Sequence, residues 1–167
     1  VYLAEDPRLK HYQTASYTRV IADLITATSP QICIFGATPM GRDLAPTVAS
    51  ELRCGLTADC TDLQIGTYTD PVKKEAHPNL LLQVRPAFGG NIIATIVNPH
   101  RWPQMATVRE GVMQMSVADA SRTGEIVPMK AGLDGIKLPV EVVAQVARKK
   151  TVNLKAARII VTGGAGV

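Results

Sequence analysis

An α/β fold, layered, with a mostly parallel sheet flanked by helices, is what this sequence predicts. Segments with helical spacing of apolar residues alternate with short β-branched runs, two of those runs carry apolar side chains on both alternating faces, and a small-residue loop joins strand to helix. The chain has 167 residues, 46 % of them hydrophobic, which fits one ordinary domain with a sizeable core.

Val1 to Ala4 is a β-favouring stub followed by Glu5-Asp6-Pro7, which reads as a strand running into a loop. A chain that opens inside a strand, without Met, is expected to be a piece of a longer protein. From Thr14, a candidate N-cap, apolar residues fall at Tyr17, Val20, Ile21, Leu24 and Ile25, and Ser29-Pro30 stops the pattern. This predicts an amphipathic helix leading into a strand over Gln31 to Phe35. The loop Gly36-Ala-Thr-Pro-Met-Gly41 follows, then a second helical pattern through Leu44, Val48 and Leu52. Pro46 lies inside that pattern and has no amide hydrogen, so the helix is expected to begin just before it or to kink there.

Asp59 to Ile65, Leu80 to Arg85 and Asn91 to Val97 read as strands, rich in Leu, Ile, Val and Thr with turn residues between them. The runs Leu80 to Val84 and Ile92 to Val97 suit strands covered on both sides by helices. A third helix is expected from Pro139 to Lys150, ending on the basic cluster Arg148-Lys149-Lys150, which its dipole would favour. Arg158 to Thr162 reads as a further strand opening onto the glycines of Gly163-Gly-Ala-Gly166.

Composition narrows the function classes. The net charge of +4 is scattered along the chain and aromatics make up 4 %, so the basic stripe with stacking rings that nucleic-acid binding needs is missing and no nucleic-acid partner is expected. No apolar run approaches the roughly 20 residues of a membrane span, so no membrane insertion is expected. Val1 to Asp6 lacks the order of a secretory signal. A cytoplasmic (bacterial) or organelle-matrix setting is the expectation, with room for a targeting segment upstream. Cys33, Cys54 and Cys60 are spaced unlike a zinc site or a redox pair and read as reduced and structural.

Several segments carry residue types suited to chemistry. Arg85-Pro-Ala-Phe-Gly-Gly-Asn91 joins two apolar strands, and its glycines would let a ligand or partner approach the main chain, or simply form a bulged strand connection. Gly36 to Asp43 places exposed amides at a helix start, where a phosphate could sit, or where Thr38 caps a plain tight turn. It matches neither the Walker A pattern nor the dinucleotide fingerprint. In Pro103 to Gly111, Arg109 is a fixed cation able to pair with a carboxylate, a phosphate or a flavin edge, or to serve as a surface arginine. His11, His77 and His100 have no ligand spacing, no serine sits in a nucleophile elbow, and neither a catalytic nor a metal-binding residue is assigned.

Taken in order, Gly36-Ala-Thr-Pro-Met-Gly-Arg-Asp-Leu-Ala-Pro46, Gly55-Leu-Thr-Ala-Asp-Cys60, Arg85-Pro-Ala-Phe-Gly-Gly-Asn91 and Pro103-Gln-Met-Ala-Thr-Val-Arg109 resemble the alpha subunit of electron-transfer flavoproteins over almost the whole chain. The resemblance implies the nucleotide-binding-like first domain of that subunit for residues 1–157, with 158–167 as the first strand and turn of an FAD-binding second domain. It implies an electron carrier rather than a catalyst on its own, shuttling electrons through FAD between dehydrogenases and an acceptor. The implied partners are an electron-transfer flavoprotein beta subunit and a dehydrogenase or quinone reductase. The main FAD site would lie beyond residue 167, and the beta subunit would hold AMP or, in flavin-bifurcating members, a second FAD. Arg109, Arg85, Gly90 and Asn91 are then the residues expected near the partner's flavin. The family often has an arginine in its Gly-Gly-x-Gly turn, where this chain has Ala165. Two other readings compete: a stand-alone adenine-nucleotide-binding α/β module using the Gly36 loop, and an NAD-dependent enzyme prompted by Gly163 to Gly166. The second would need a complete strand-turn-helix and an acidic residue about 20 positions on.

Overall fold

The computed structural model describes residues 1–90, 92–146 and 152–166. The elements in chain order are β1 (Tyr2–Ala4), α1 (Thr14–Thr28), β2 (Ile32–Gly36), α2 (Pro39–Glu51), β3 (Leu56–Cys60), β4 (Asp62–Thr69), β5 (Ala76–Ala87), β6 (Ile92–Ile96), β7 (Gln104–Val108) and β8 (Val127–Met129). The architecture is α/β, as expected, with parallel sheets and two helices.

The central sheet has the order β2-β7-β3, all parallel, so β7 enters between two strands that precede it in sequence. Both helices pack on one face of it. Ile25 of α1, with Leu44, Val48 and Ala49 of α2, closes over Met105, and Cys33, Phe35 and Leu56 of the sheet pack against that cluster. On the other face Cys60 and Ala106 meet Leu81 of β5, with Ile32 and Leu63 at the margin. A buried side chain adds a polar stitch there, because Gln104 Oε1 accepts the Leu81 amide at 2.7 Å.

α1 ends as its sequence suggests: Ser29 turns left-handed at φ 46° and its amide bonds the Ile25 carbonyl. Its start differs. Gln13 is the cap residue, and the Thr14 hydroxyl instead donates to Asp43 on α2. α2 begins at Pro39, well before Pro46, because Thr38 caps it by accepting the Gly41 amide at 3.1 Å and Pro39 sits in the first turn, where its missing amide is harmless. The buried positions Gly41, Leu44, Ala45, Val48 and Ala49 share one face, and Pro46 lies on the exposed one. A helix held by this much packing runs through its internal proline.

The expected strand over Asp59 to Ile65 is divided at Thr61 into β3 and β4, which belong to different sheets. Just before the break Asp59, with φ of 63°, interrupts the β3–β7 register between Thr57 and Cys60. The apolar runs read as helix-covered strands pair antiparallel in a sheet of order β4-β5-β6. Leu80 and Leu81 are buried, but Leu81 packs on Cys60 and Ala106 of the central sheet rather than on a helix, and Ile92 and Ile93 of β6 are 53 % and 72 % exposed, so the expected helices on both sides of these strands are not found among the described residues.

A return segment brings β8 beside β1 in parallel and lays Ala131 and Leu133 against Val20 of α1. Arg8 fastens it, with Nη1 donating to the Leu133 carbonyl at 2.8 Å and Nη2 to Asp134 at 3.0 Å. The helix expected over Pro139 to Lys150 is not present over 139–146, and 147–150 lie outside the described residues. Val140, Val143 and Val146 are exposed there, and an amphipathic pattern without a surface to bury against does not sustain a helix. The strand expected from Arg158 is likewise not formed; Ile159 and Val161 are exposed, with no paired strand beside them among the described residues.

Candidate functional site

The carboxyl ends of β2, β7 and β3 meet at one edge of the parallel sheet, the edge at which open α/β sheets receive ligands. The Ala37 amide bonds the Val108 carbonyl at 2.7 Å and the Arg109 amide bonds the Cys60 carbonyl at 2.9 Å, which locks the three strand ends together.

Asp59 is the centre of this edge. Its amide donates to Thr107 Oγ1 at 2.8 Å, and its left-handed backbone turns the carboxylate toward the strand ends. Arg109 grips that carboxylate with two donors, Nη2 to Oδ2 at 2.7 Å and Nε to Oδ1 at 3.2 Å. Arg42, held by Nε on the Ala37 carbonyl at 2.9 Å, reaches Oδ1 at 3.2 Å. The two arginine side chains stay 57 % (Arg42) and 45 % (Arg109) exposed, so their charge faces outward as well as toward Asp59. A cleft of about 220 Å³ opens beside them, lined by Arg42, Pro46, Leu56, Ala58, Asp59 and Thr107.

The hydrogen bonds from Arg109 hold the Asp59 carboxyl below the usual carboxylate range, with the Arg42 and Arg85 charges adding to the effect and burial opposing it. Arg109 is pushed up in return. Asp6 behaves alike, brought down to about 2 by its bonds to Arg8. Both folded values lie below the unfolded one of about 3.9, so these pairs contribute stability above that pH, and it is lost as pH falls through the folded values. Thermal melts are therefore expected to show Tm falling between about pH 4 and about pH 2. Asp59→Asn and Asp6→Asn should each flatten that fall, and an unaltered acid profile in both would count against the assignment.

Of the residues singled out from sequence, Arg109 and Arg85 come together here. Arg85 sits on β5 opposite Ala94, and its charge acts on both Asp59 and Cys60. Gly90 closes the turn Phe88–Gly90 between β5 and β6, in which Phe88 and Gly89 have φ of 43° and 73°. Asn91 lies outside the described residues. Arg42 and Asp59 were not singled out, although both sit within the small-residue blocks; an Arg and an Asp with no spacing relation give no local signal, and only β7 inserting between β2 and β3 brings them together.

The Gly36 loop does not offer a free phosphate cradle. Its Ala37 and Gly41 amides already donate to the Val108 carbonyl and the Thr38 hydroxyl, and Gly41 packs against the Gly36 carbonyl. Cys33, Cys54 and Cys60 are free, and burial raises all three thiols, which keeps them protonated and poorly nucleophilic at neutral pH. His77 and His100, far apart in sequence, meet edge to face at 5.3 Å, with Tyr68 stacked on His77. Among the described residues no group of His, Cys, Asp or Glu is arranged to hold a metal ion. No helix among them is long and apolar enough to cross a membrane.

Helices on one face of a parallel sheet, with an arginine-rich carboxyl edge, define an α/β scaffold domain of the nucleotide-binding-like class. The electron transfer flavoprotein domain family matches residues 1–133, and the chain belongs to that family. The whole chain is 43 % identical to the electron transfer flavoprotein subunit alpha of Thermoanaerobacterium thermosaccharolyticum, covering 48 % of that protein. It is 41 % identical to the subunit of the same name from Megasphaera elsdenii, covering 47 % of it. It is also similar to the lactate dehydrogenase (NAD(+),ferredoxin) subunit LctC of Acetobacterium woodii, at 37 % identity over the whole chain and 38 % of that protein. The chain spans about half the length of the first two of these relatives.

Proposed function

We propose that this chain is the first domain of an electron-transfer flavoprotein alpha subunit, and that its carboxyl edge faces a flavin held by a beta-type partner subunit. The observation that carries the reading is the pairing of Arg42 and Arg109 on Asp59 at an exposed sheet edge, in a chain of this family. Residues 1–157 belong to this domain, and 158–167 open a second domain that holds the electron-transferring FAD.

When bound, FAD would supply the redox chemistry that links a dehydrogenase to an acceptor such as a quinone reductase. The protein's own contribution is electrostatic. The exposed guanidinium groups of Arg109 and Arg42, with Arg85 behind them, fit an anionic ring edge in donor chemistry and in accessibility. They favour the reduced, negatively charged state of a nearby flavin and so raise its potential. Gly90, on the β5–β6 turn, is the position proposed to let the flavin approach the main chain. A bifurcating carrier with two FAD, rather than one FAD with AMP, is supported by the relative whose name carries both NAD(+) and ferredoxin.

Bound FAD and AMP should be quantified in the full-length alpha subunit co-expressed with its partner, where two FAD per heterodimer are expected. One FAD with AMP would leave a simple carrier, and no flavin would overturn the reading. In the same complex Arg109→Ala is expected to lower the potential of the partner's flavin by about 59 mV for a tenfold shift in a one-electron equilibrium. Unchanged potentials would remove Arg109 from the site.

A further inference from the structure

We propose that Asp59 is a positioning residue for Arg109 and Arg42, and that its carboxylate sets how much positive charge the sheet edge presents to the partner's flavin. The inference rests on the reading that this edge faces such a flavin, and it adds the group that regulates the arginines.

The geometry assigns Asp59 this task on several counts. Its backbone is pinned twice, by the left-handed turn and by the amide bond to Thr107 on the central strand. Its two oxygens are divided between two cations: Oδ2 takes Arg109 Nη2, while Oδ1 is shared by Arg109 Nε and Arg42 Nη2. The paired bonds to Arg109 define the plane of a guanidinium that is otherwise nearly half exposed. Arg42 is fixed from behind by the Ala37 carbonyl, so the carboxylate is a shared anchor rather than a simple ion pair. One carboxylate stands against the charges of Arg42, Arg85 and Arg109, all of which act on it. Neutralising it would both strengthen the positive field and release Arg109 from its fixed plane.

Asp59→Asn is the suitable probe, because Asn keeps the side-chain shape and tolerates left-handed backbone. In the full-length alpha subunit with its partner, flavin potentials are measured for wild type, Asp59→Asn, Arg109→Ala and the double variant. Asp59→Asn is expected to raise the potential, shifting the one-electron equilibrium by about tenfold, or about 59 mV. That shift should shrink to about half or less in the Arg109→Ala background, the signature of two residues acting as a unit. Independently of any flavin, the rate of phenylglyoxal modification at Arg109, mapped by mass spectrometry, should rise severalfold in Asp59→Asn.

The outcomes separate the two ideas. If Arg109→Ala leaves the potentials unchanged, Arg109 is not at the partner's flavin and the inference falls with it, while the flavin content of the complex still decides the reading. If Arg109→Ala moves them while Asp59→Asn moves neither the potential nor the modification rate, the reading stands and the role of Asp59 is overturned. An Asp59→Asn shift of equal size with and without Arg109 would also overturn it, since a purely direct charge effect needs no positioning.

Discussion

Gly41→Ala is expected to destabilise the protein by about 3 kcal/mol, the upper end of ordinary overpacking costs. The sign is opposite to what helix propensity alone would give, since Ala in place of Gly in a helix normally gains about 1 kcal/mol. Gly41 is buried in the first turn of α2, and a Cβ there would collide with the Gly36 carbonyl oxygen. That obstacle is backbone at the end of β2, so no side chain can swing aside. To relieve the contact α2 must move away from the sheet, stretching the Thr38 cap and carrying Arg42 away from Asp59. Thermal unfolding should show Tm lowered by roughly 10 °C. A loss under about 2 °C would mean that helix and strand separate more easily than this packing implies.

Met105→Ala should cost about 2–5 kcal/mol. Met105 is fully buried near the start of β7, with Ile25, Leu44, Val48 and Ala49 over it and the Cys54 sulfur 3.2 Å from its own. It lies on the central strand of the β2-β7-β3 sheet, bonded to both neighbours, so the cavity cannot be closed by shifting an edge. Met105→Leu conserves volume and should cost less than about 1.5 kcal/mol. Met115, 91 % exposed, provides the contrast: its change to Ala should stay within about 0.5 kcal/mol. Urea unfolding of the three variants checks the ranking, and a Met105→Ala loss no larger than that of Met115→Ala would mean that the core is not where the packing puts it.

Both helices were legible in the sequence because their cores follow helical spacing: Val20 and Ile25 in α1, and Leu44 and Val48 in α2, are among the buried positions. Thr38 as a cap and Ser29-Pro30 as a stop were legible too, since capping and left-handed termination depend on residues a few positions apart. Pro46 misled, because its local cost is set against packing on the opposite face, which no local pattern reports. The valines between 140 and 146 misled in the other direction, having helical spacing but standing exposed among the described residues.

The site divides in the same way. Arg109 is legible as a fixed cation, while Arg85 is a candidate only through the family resemblance, which rests on blocks of sequence that can be read in order. Asp59 could not be recognised as their anchor, nor Arg42 as its second ligand. The sequence by itself determined the α/β class, the helices and the family, because periodicity, caps and motif blocks are local. Only the tertiary structure decided that β7 lies between β2 and β3, that β4, β5 and β6 form a separate antiparallel sheet, and that Arg42 and Arg109 share one carboxylate. Those outcomes depend on strand pairing between distant segments, where the free energy comes from burial and backbone hydrogen bonds that no neighbouring residues encode.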